Sequence, residues 1–210
     1  MTDQIQTIEQ QHETKFKEKG SLFIGQVYPV NSVEEAEEFL TSVRKKFYDA
    51  THHCYAYRIM ENDSKYSDDG EPNGTAGIRI ANAINHFELT NLLVISIRYY
   101  GGTKLGVGPL GKAYYQSAYD TLSEMEIVTK KNFSKLKVAF EYDHISKIHH
   151  LLNQHTTQIL DNLFEERPAI LFLIRNNELD NLSTEIIEST NDSAHLEVVE
   201  ENIFIENPKI

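Results

Sequence analysis

Apolar side chains run almost without interruption along NLLVISIRYY (residues 91–100), with the branched Val94, Ile95 and Ile97 at the centre. A strand with one wet face alternates apolar and polar residues, so an unbroken run predicts a strand buried on both faces. Alternating segments around residues 4–14 and 21–30 predict further strands, as does THHCYAYRIM (51–60). SVEEAEEFLTSVRKKF (32–47) places acids first and bases last behind Asn31 or Ser32, which predicts a capped helix matched to its own dipole. Gly77, Ile80, Ala81, Ile84 and Phe87 share one face of a second predicted helix beginning near Thr75. Leu110, Ala113, Tyr114, Ser117, Ala118, Thr121, Leu122 and Met125 keep helical spacing in a third. The stretch from Glu61 to Asn73 reads as a polar loop.

After Met125 the pattern restarts. Residues 126–132 are polar enough for a linker or a strand entry. Beyond them the order is strand (Ser134 to Tyr142), helix (Asp143 to about His155), strand (Thr156 to Phe164), strand (Ala169 to Arg175), helix (Asn177 to Ser189) and strand (His195 to Phe204). This βαββαβ order is that of a ferredoxin-like domain. The expectation is an α+β protein of two domains, 1–128 and 129–210.

Charge narrows the partners. Against 20 basic residues stand 32 acidic ones, a net charge of −12 shared evenly by the two halves, which disfavours a large sequence-independent phosphate footprint. A local basic patch survives if Arg79, Arg98, Lys104 and Lys112 converge. Cys54 is the sole cysteine, so no intramolecular disulfide forms; together with the absence of an apolar leader or an 18-residue apolar run, this sets cytoplasmic and no membrane as the expectations.

GVGPLGKAYY (106–115) contains both GxGxxG and GxxxxGK. Both fail in detail as nucleotide motifs: Ala113 stands where a phosphate loop needs a hydroxyl for magnesium, and Gly101 to Leu105 separate the glycines from the strand. The stretch reads as a glycine-rich turn leading into a helix, with Pro109 in the first helical turn. In SDDGEPNGTAG (67–77), Asp68, Asp69 and Glu71 precede a helix, where they serve either as turn and capping acids or as a cation or proton-sharing site. His52, His53 and Cys54 alternate across a strand and lack a second ligand pair, so no metal site and no cofactor are expected. Arg98 and Tyr100 point to one side of their strand and Tyr99 to the other. Arg98 either clasps one of the loop acids or offers its guanidinium to an anionic or aromatic partner. No catalytic residue is assigned.

THHCYAYRI (51–59), SDDGEPNGTAG (67–77) and IRYYGGTKLGVGPLGKAY (97–114) together resemble the IMPACT family in its bacterial form, over about the first 125 residues. The chain departs from the usual family pattern at Pro109–Lys112 and at Ile78–Arg79, where the basic positions move. The resemblance implies an N-terminal domain shaped like domain IV of elongation factor G and a C-terminal one like its domain V. It also implies contact with the ribosome, RNA or a translation-associated protein. Eukaryotic members restrain the kinase that phosphorylates initiation factor 2 by competing for its activator. The expected role is a non-catalytic, translation-associated binding protein without DNA sequence specificity, with Arg79, Arg98, Lys104 and Lys112 toward phosphate or acidic groups and Tyr99 or Tyr100 for stacking. The alternatives are a protein-binding regulator free of nucleic acid, and a metal-assisted hydrolase built on Asp68, Asp69 and Glu71.

Overall fold

The computed structural model describes residues 2–60, 63–164 and 166–206. In chain order the elements are β1 (Gln4–Thr7), β2 (His12–Glu18), β3 (Ser21–Pro29), α1 (Val33–Lys46), β4 (His52–Ile59), β5 (Asp63–Ser67), α2 (Gly77–His86), β6 (Leu92–Tyr99), α3 (Val107–Ser123), β7 (Val128–Ala139), α4 (Ile145–Gln154), β8 (Thr157–Phe164), β9 (Pro168–Arg175), α5 (Leu179–Thr190) and β10 (His195–Ile205). Contacts divide the chain into two compact units, Gln6–Val128 and Met1–Ile5 with Thr129–Ile210. The fold class is α+β, as the element order predicts.

In the unit Gln6–Val128 an antiparallel sheet of order β2-β3-β6-β4-β5 forms the middle layer. β6 is central, and its apolar run divides between two cores. Leu92 and Val94 join Phe23, Cys54 and Ala56 beneath α2 and α3, while Leu93, Ile95 and Ile97 pack with Leu40 and Val43 of α1. Both faces of the strand are therefore dry, which is why it carries no alternation. On the α2/α3 side the side chains become polar toward the strand's end: Ser96 donates to Ser117 Oγ at 2.8 Å, and Arg98 follows, 5% exposed.

The other unit has β7-α4-β8-β9-α5-β10 in sequence, with β10, β7, β9 and β8 as neighbours in that order, which is the ferredoxin-like arrangement. Its core places Leu136, Val138, Ile170, Phe172 and Ile174 against Ile148, Leu152, Leu182 and Ile186.

Three local expectations need correction. The alternating segment at 4–14 is two strands, because β1 pairs with β7 in one sheet and β2 with β3 in the other. The polar stretch after Met60 contains β5, whose residues are largely exposed; an edge strand with one neighbour has no need of apolar side chains. Glu61 and Asn62 of that predicted loop lie outside the described residues. β7 begins at Val128 rather than Ser134, since Asn132 is buried by hydrogen bonding, its N–H donating to Asp3 O at 2.9 Å and its amide to Thr2 O at 3.0 Å. A pattern of apolar residues does not register burial of that kind. Among the described residues no helix is long and apolar enough to cross a membrane.

Candidate functional site

The acidic loop folds around the start of α2, and each of its carboxylates has a different task. Asp68 accepts from the N–H groups of Gly74 (2.8 Å), Ala76 (2.8 Å) and Gly77 (2.9 Å), so it caps the helix from outside the first turn. Partial burial alone would raise its carboxyl, but these three backbone donors outweigh that and hold it below its ordinary value. Gly77 is required by the same closeness: a Cβ there would stand 2.7 Å from the backbone of Ser67. Asp69, in a left-handed conformation, accepts from Arg44 Nη2 at 3.0 Å and from His53 N at 2.7 Å.

Glu71 turns inward. Its Oε1 accepts from Arg98 Nη1 at 2.6 Å and from the Tyr114 hydroxyl at 2.7 Å, and both ends of the ion pair are almost fully buried. Arg98 Nη2 reaches Ser21 Oγ at 3.3 Å, and the guanidinium lies 5.5 Å from the ring centroids of both Phe23 and Tyr100. Its Nε is buried with no acceptor. A buried donor left unmet costs about 1–3 kcal/mol, so it needs an explanation. The pairing settles the first of the two roles open to Arg98: it clasps the loop through Glu71.

The three carboxylates therefore do not converge, and among the described residues no group of three or more His, Cys, Asp and Glu is placed to hold a metal ion. Cys54 is fully buried and donates to Asp68 O at 3.0 Å, and burial pushes its thiol far above the ordinary range. His53 donates from Nε2 to Phe47 O at 3.1 Å, and burial lowers its pKa.

Beside the clasp lies a cleft of about 480 Å³. Its floor is Arg98 and Glu71, with His52, and its wall includes Pro72, Leu105 and Leu110. Tyr100, 45% exposed, and Lys104 stand on its rim with Gly106 and Val107 at the start of α3. His52 is fixed by its Nδ1–H, which donates to Asp69 O at 2.8 Å, leaving Nε2 3.7 Å from Glu71 Oε1. The glycines of the GxGxxG motif form no loop: Gly106, at φ 85°, is the turn into α3, and Gly108 and Gly111 belong to the helix.

Of the residues singled out by sequence, the cleft gathers Glu71, Arg98, Tyr100 and Lys104. Asp68 and Asp69 support its edge through α2 and His52. Tyr99 faces α1 and donates to Asp49 at 2.8 Å. Arg79 lies along Gly111, and Lys112 is exposed on α3; neither lines the cleft, which holds Arg98 and Lys104 of the four predicted cations. His52, Ser21 and the hydroxyl of Tyr114 are the components that sequence reasoning missed. Alternation does place His52 on the Cys54 face of its strand, which is the one usable signal.

Residues 19–122 match the Impact N-terminal domain. The chain is 30% identical over 187 residues to the IMPACT family member YvyE of Bacillus subtilis, covering 88% of this chain and 86% of that one. It is 29% identical over 187 residues to the IMPACT family member YigZ of Escherichia coli, with coverages of 87% and 92%. A crystal structure described as that of a hypothetical protein superimposes with a TM-score of 0.68 at 25% identity, over 95% of this chain and 99% of the other. The motifs that build the cleft thus sit inside a likeness spanning nearly the whole sequence, and the chain belongs to the IMPACT family.

Proposed function

We propose that the protein is a non-catalytic, cytoplasmic binding protein that acts on translation by contacting RNA, with the cleft beside Arg98 as the contact. The observation that carries this reading is the composition of that cleft. In a chain of net charge −12 it gathers Lys104 and the partly exposed ring of Tyr100, above an Arg98 already paired with Glu71, around a helix start that has no acid in its first turn. Cations meet phosphates and an exposed ring stacks on an unpaired base, which is how sequence-tolerant binding of single strands works. The non-catalytic reading is supported by the state of the groups that the hydrolase alternative would use. Cys54 is buried, and the loop carboxylates are each held by cations, by backbone donors or by the Tyr114 hydroxyl.

The test is fluorescence anisotropy with a short unstructured RNA across a salt series. One phosphate contact on a single strand, through Lys104, predicts roughly a threefold loss of affinity between 50 and 200 mM salt, and a further loss with Lys104→Glu. Affinity for a protein partner that ignores salt, with no RNA binding at 50 mM, would favour the regulator free of nucleic acid, for which an acidic surface is no obstacle.

A further inference from the structure

We infer that the free edge of β5, with the cavity between it and α2, is a docking site for an extended peptide segment that carries an aspartate or glutamate. The site shares no lining residue with the Arg98 cleft, and its occupancy does not depend on the RNA reading.

β5 ends one side of its sheet: it pairs with β4 in unbroken register and with no other described strand. Alternate residues of an edge strand turn their N–H and C=O groups outward, where a second chain can pair with them. The usual protections are slight here. The strand has no proline and no bulge, and its two charges, Asp63 and Lys65, serve the α1 side. Asp63 stands opposite Ile59, which packs in the α1 core, and Lys65 Nζ lies 3.6 Å from Glu37 of α1.

On the α2 side the register sets Ser64 opposite Arg58 and Tyr66 opposite Ala56. A cavity of about 330 Å³ lies there, walled by Ile78 and Ala81 of α2 and bordered by Arg58, Ser64 and Tyr66. Its lining contains no acid, although acids outnumber bases 32 to 20 in the chain. Arg58 is the group that points to a ligand. Four of the six arginines, Arg44, Arg98, Arg167 and Arg175, pair with a carboxylate. Among the described residues Arg58 and Arg79 have no such partner; Arg79 is exposed to solvent, whereas Arg58 is half-buried. A guanidinium withdrawn from water without an acceptor is costly, and a carboxylate matches its fork of donors. A strand added beside β5 lies about 10 Å from β4, so a glutamate on its α2 side and Arg58 together span the gap across Ser64. Tyr66, 52% exposed, and the aliphatic wall receive the neighbouring side chains. Backbone pairing gives such a peptide its affinity, and the Arg58 cavity selects the residue. A nucleic acid backbone has no N–H for the outward carbonyls, which favours a peptide.

A display library of random linear peptides is panned against the whole chain, and enriched peptides are synthesised for NMR titration and amide hydrogen exchange. They are expected to carry an acid among β-branched residues, to move the amides of Ser64, Lys65 and Tyr66, and to slow exchange of those that face outward. Arg58→Gln should weaken binding about tenfold, as should replacing the peptide's acid by its amide. The two losses should not add, since both remove one pair. Ser64→Glu supplies a carboxylate directly opposite Arg58 and should exclude the acidic peptide with the melting temperature retained or raised. No enrichment, enriched peptides without an acid, or undiminished binding in both variants overturns the inference. So do shifts confined to residues away from β5 and α2. Concentration-dependent dimerisation that protects the same amides without peptide makes a second copy the occupant and overturns the peptide, as does protection of β5 by a single-stranded RNA.

Discussion

The ion pair between Arg98 and Glu71 holds the acidic loop against the end of β6, and its burial sets what happens when it is broken. A buried pair gains little over apolar residues of the same size, but removing one partner strands a charge in a dry site. Glu71→Ala is expected to lower stability by about 3–5 kcal/mol, measured by urea unfolding. Combining it with Arg98→Met should recover a large part of that loss. Equal losses in the single and double variants would show that the loop is held by something other than charge. Sequence reasoning reached this pair only as one of two choices. Arg98 and Glu71 are 27 positions apart, and nothing in periodicity states which of three nearby acids turns inward. Tyr114 is read correctly as a core position from its helical spacing, yet spacing says nothing of its hydroxyl, which completes the coordination of Glu71.

At the scale of elements, the helices show how one sequence signal is read well and another is missed. α1 carries its cap locally: Ser32 accepts from Glu35 N at 3.2 Å, and the acids and bases sit at the ends where the dipole favours them. α2 is capped by Asp68, nine residues from its farthest donor, Gly77. A cap supplied through a loop leaves no trace at the N-cap position, so the acid reads equally as a ligand. Asp68→Ala is expected to cost about 1–2 kcal/mol, at the upper end for caps because three donors lose their acceptor. The pH dependence has a definite sign. Because the folded state lowers the Asp68 carboxyl, its contribution is complete above the unfolded value and disappears as pH falls through the folded one. Wild type should therefore lose stability on acidification faster than Asp68→Ala, measured as unfolding midpoints from neutral pH to about pH 3. Parallel curves would remove Asp68 from the account. Among strands, β6 is legible because burial on two faces writes itself as a run of apolar residues. β5 is not, because an edge strand bonded on one side looks like a loop in composition.

For the whole molecule the balance of charge decides which contacts are feasible. A net charge of −12 repels a phosphate backbone over most of the surface, so attraction has to be local. The predicted patch of four cations would have supplied it broadly. The fold instead leaves Arg79 and Lys112 on the exposed surface of α2 and α3 and brings Arg98 and Lys104 to one cleft. Contact through a single nucleotide-sized site fits an acidic protein better than a footprint along a helix of RNA would. The measurement that tests the translation role most directly is sedimentation of the tagged protein with ribosomes from its own lysate on sucrose gradients, at low and raised salt and after ribonuclease. The account predicts migration with subunits or monosomes that raised salt abolishes and that Lys104→Glu weakens. Protein that remains at the top of the gradient at low salt would contradict it.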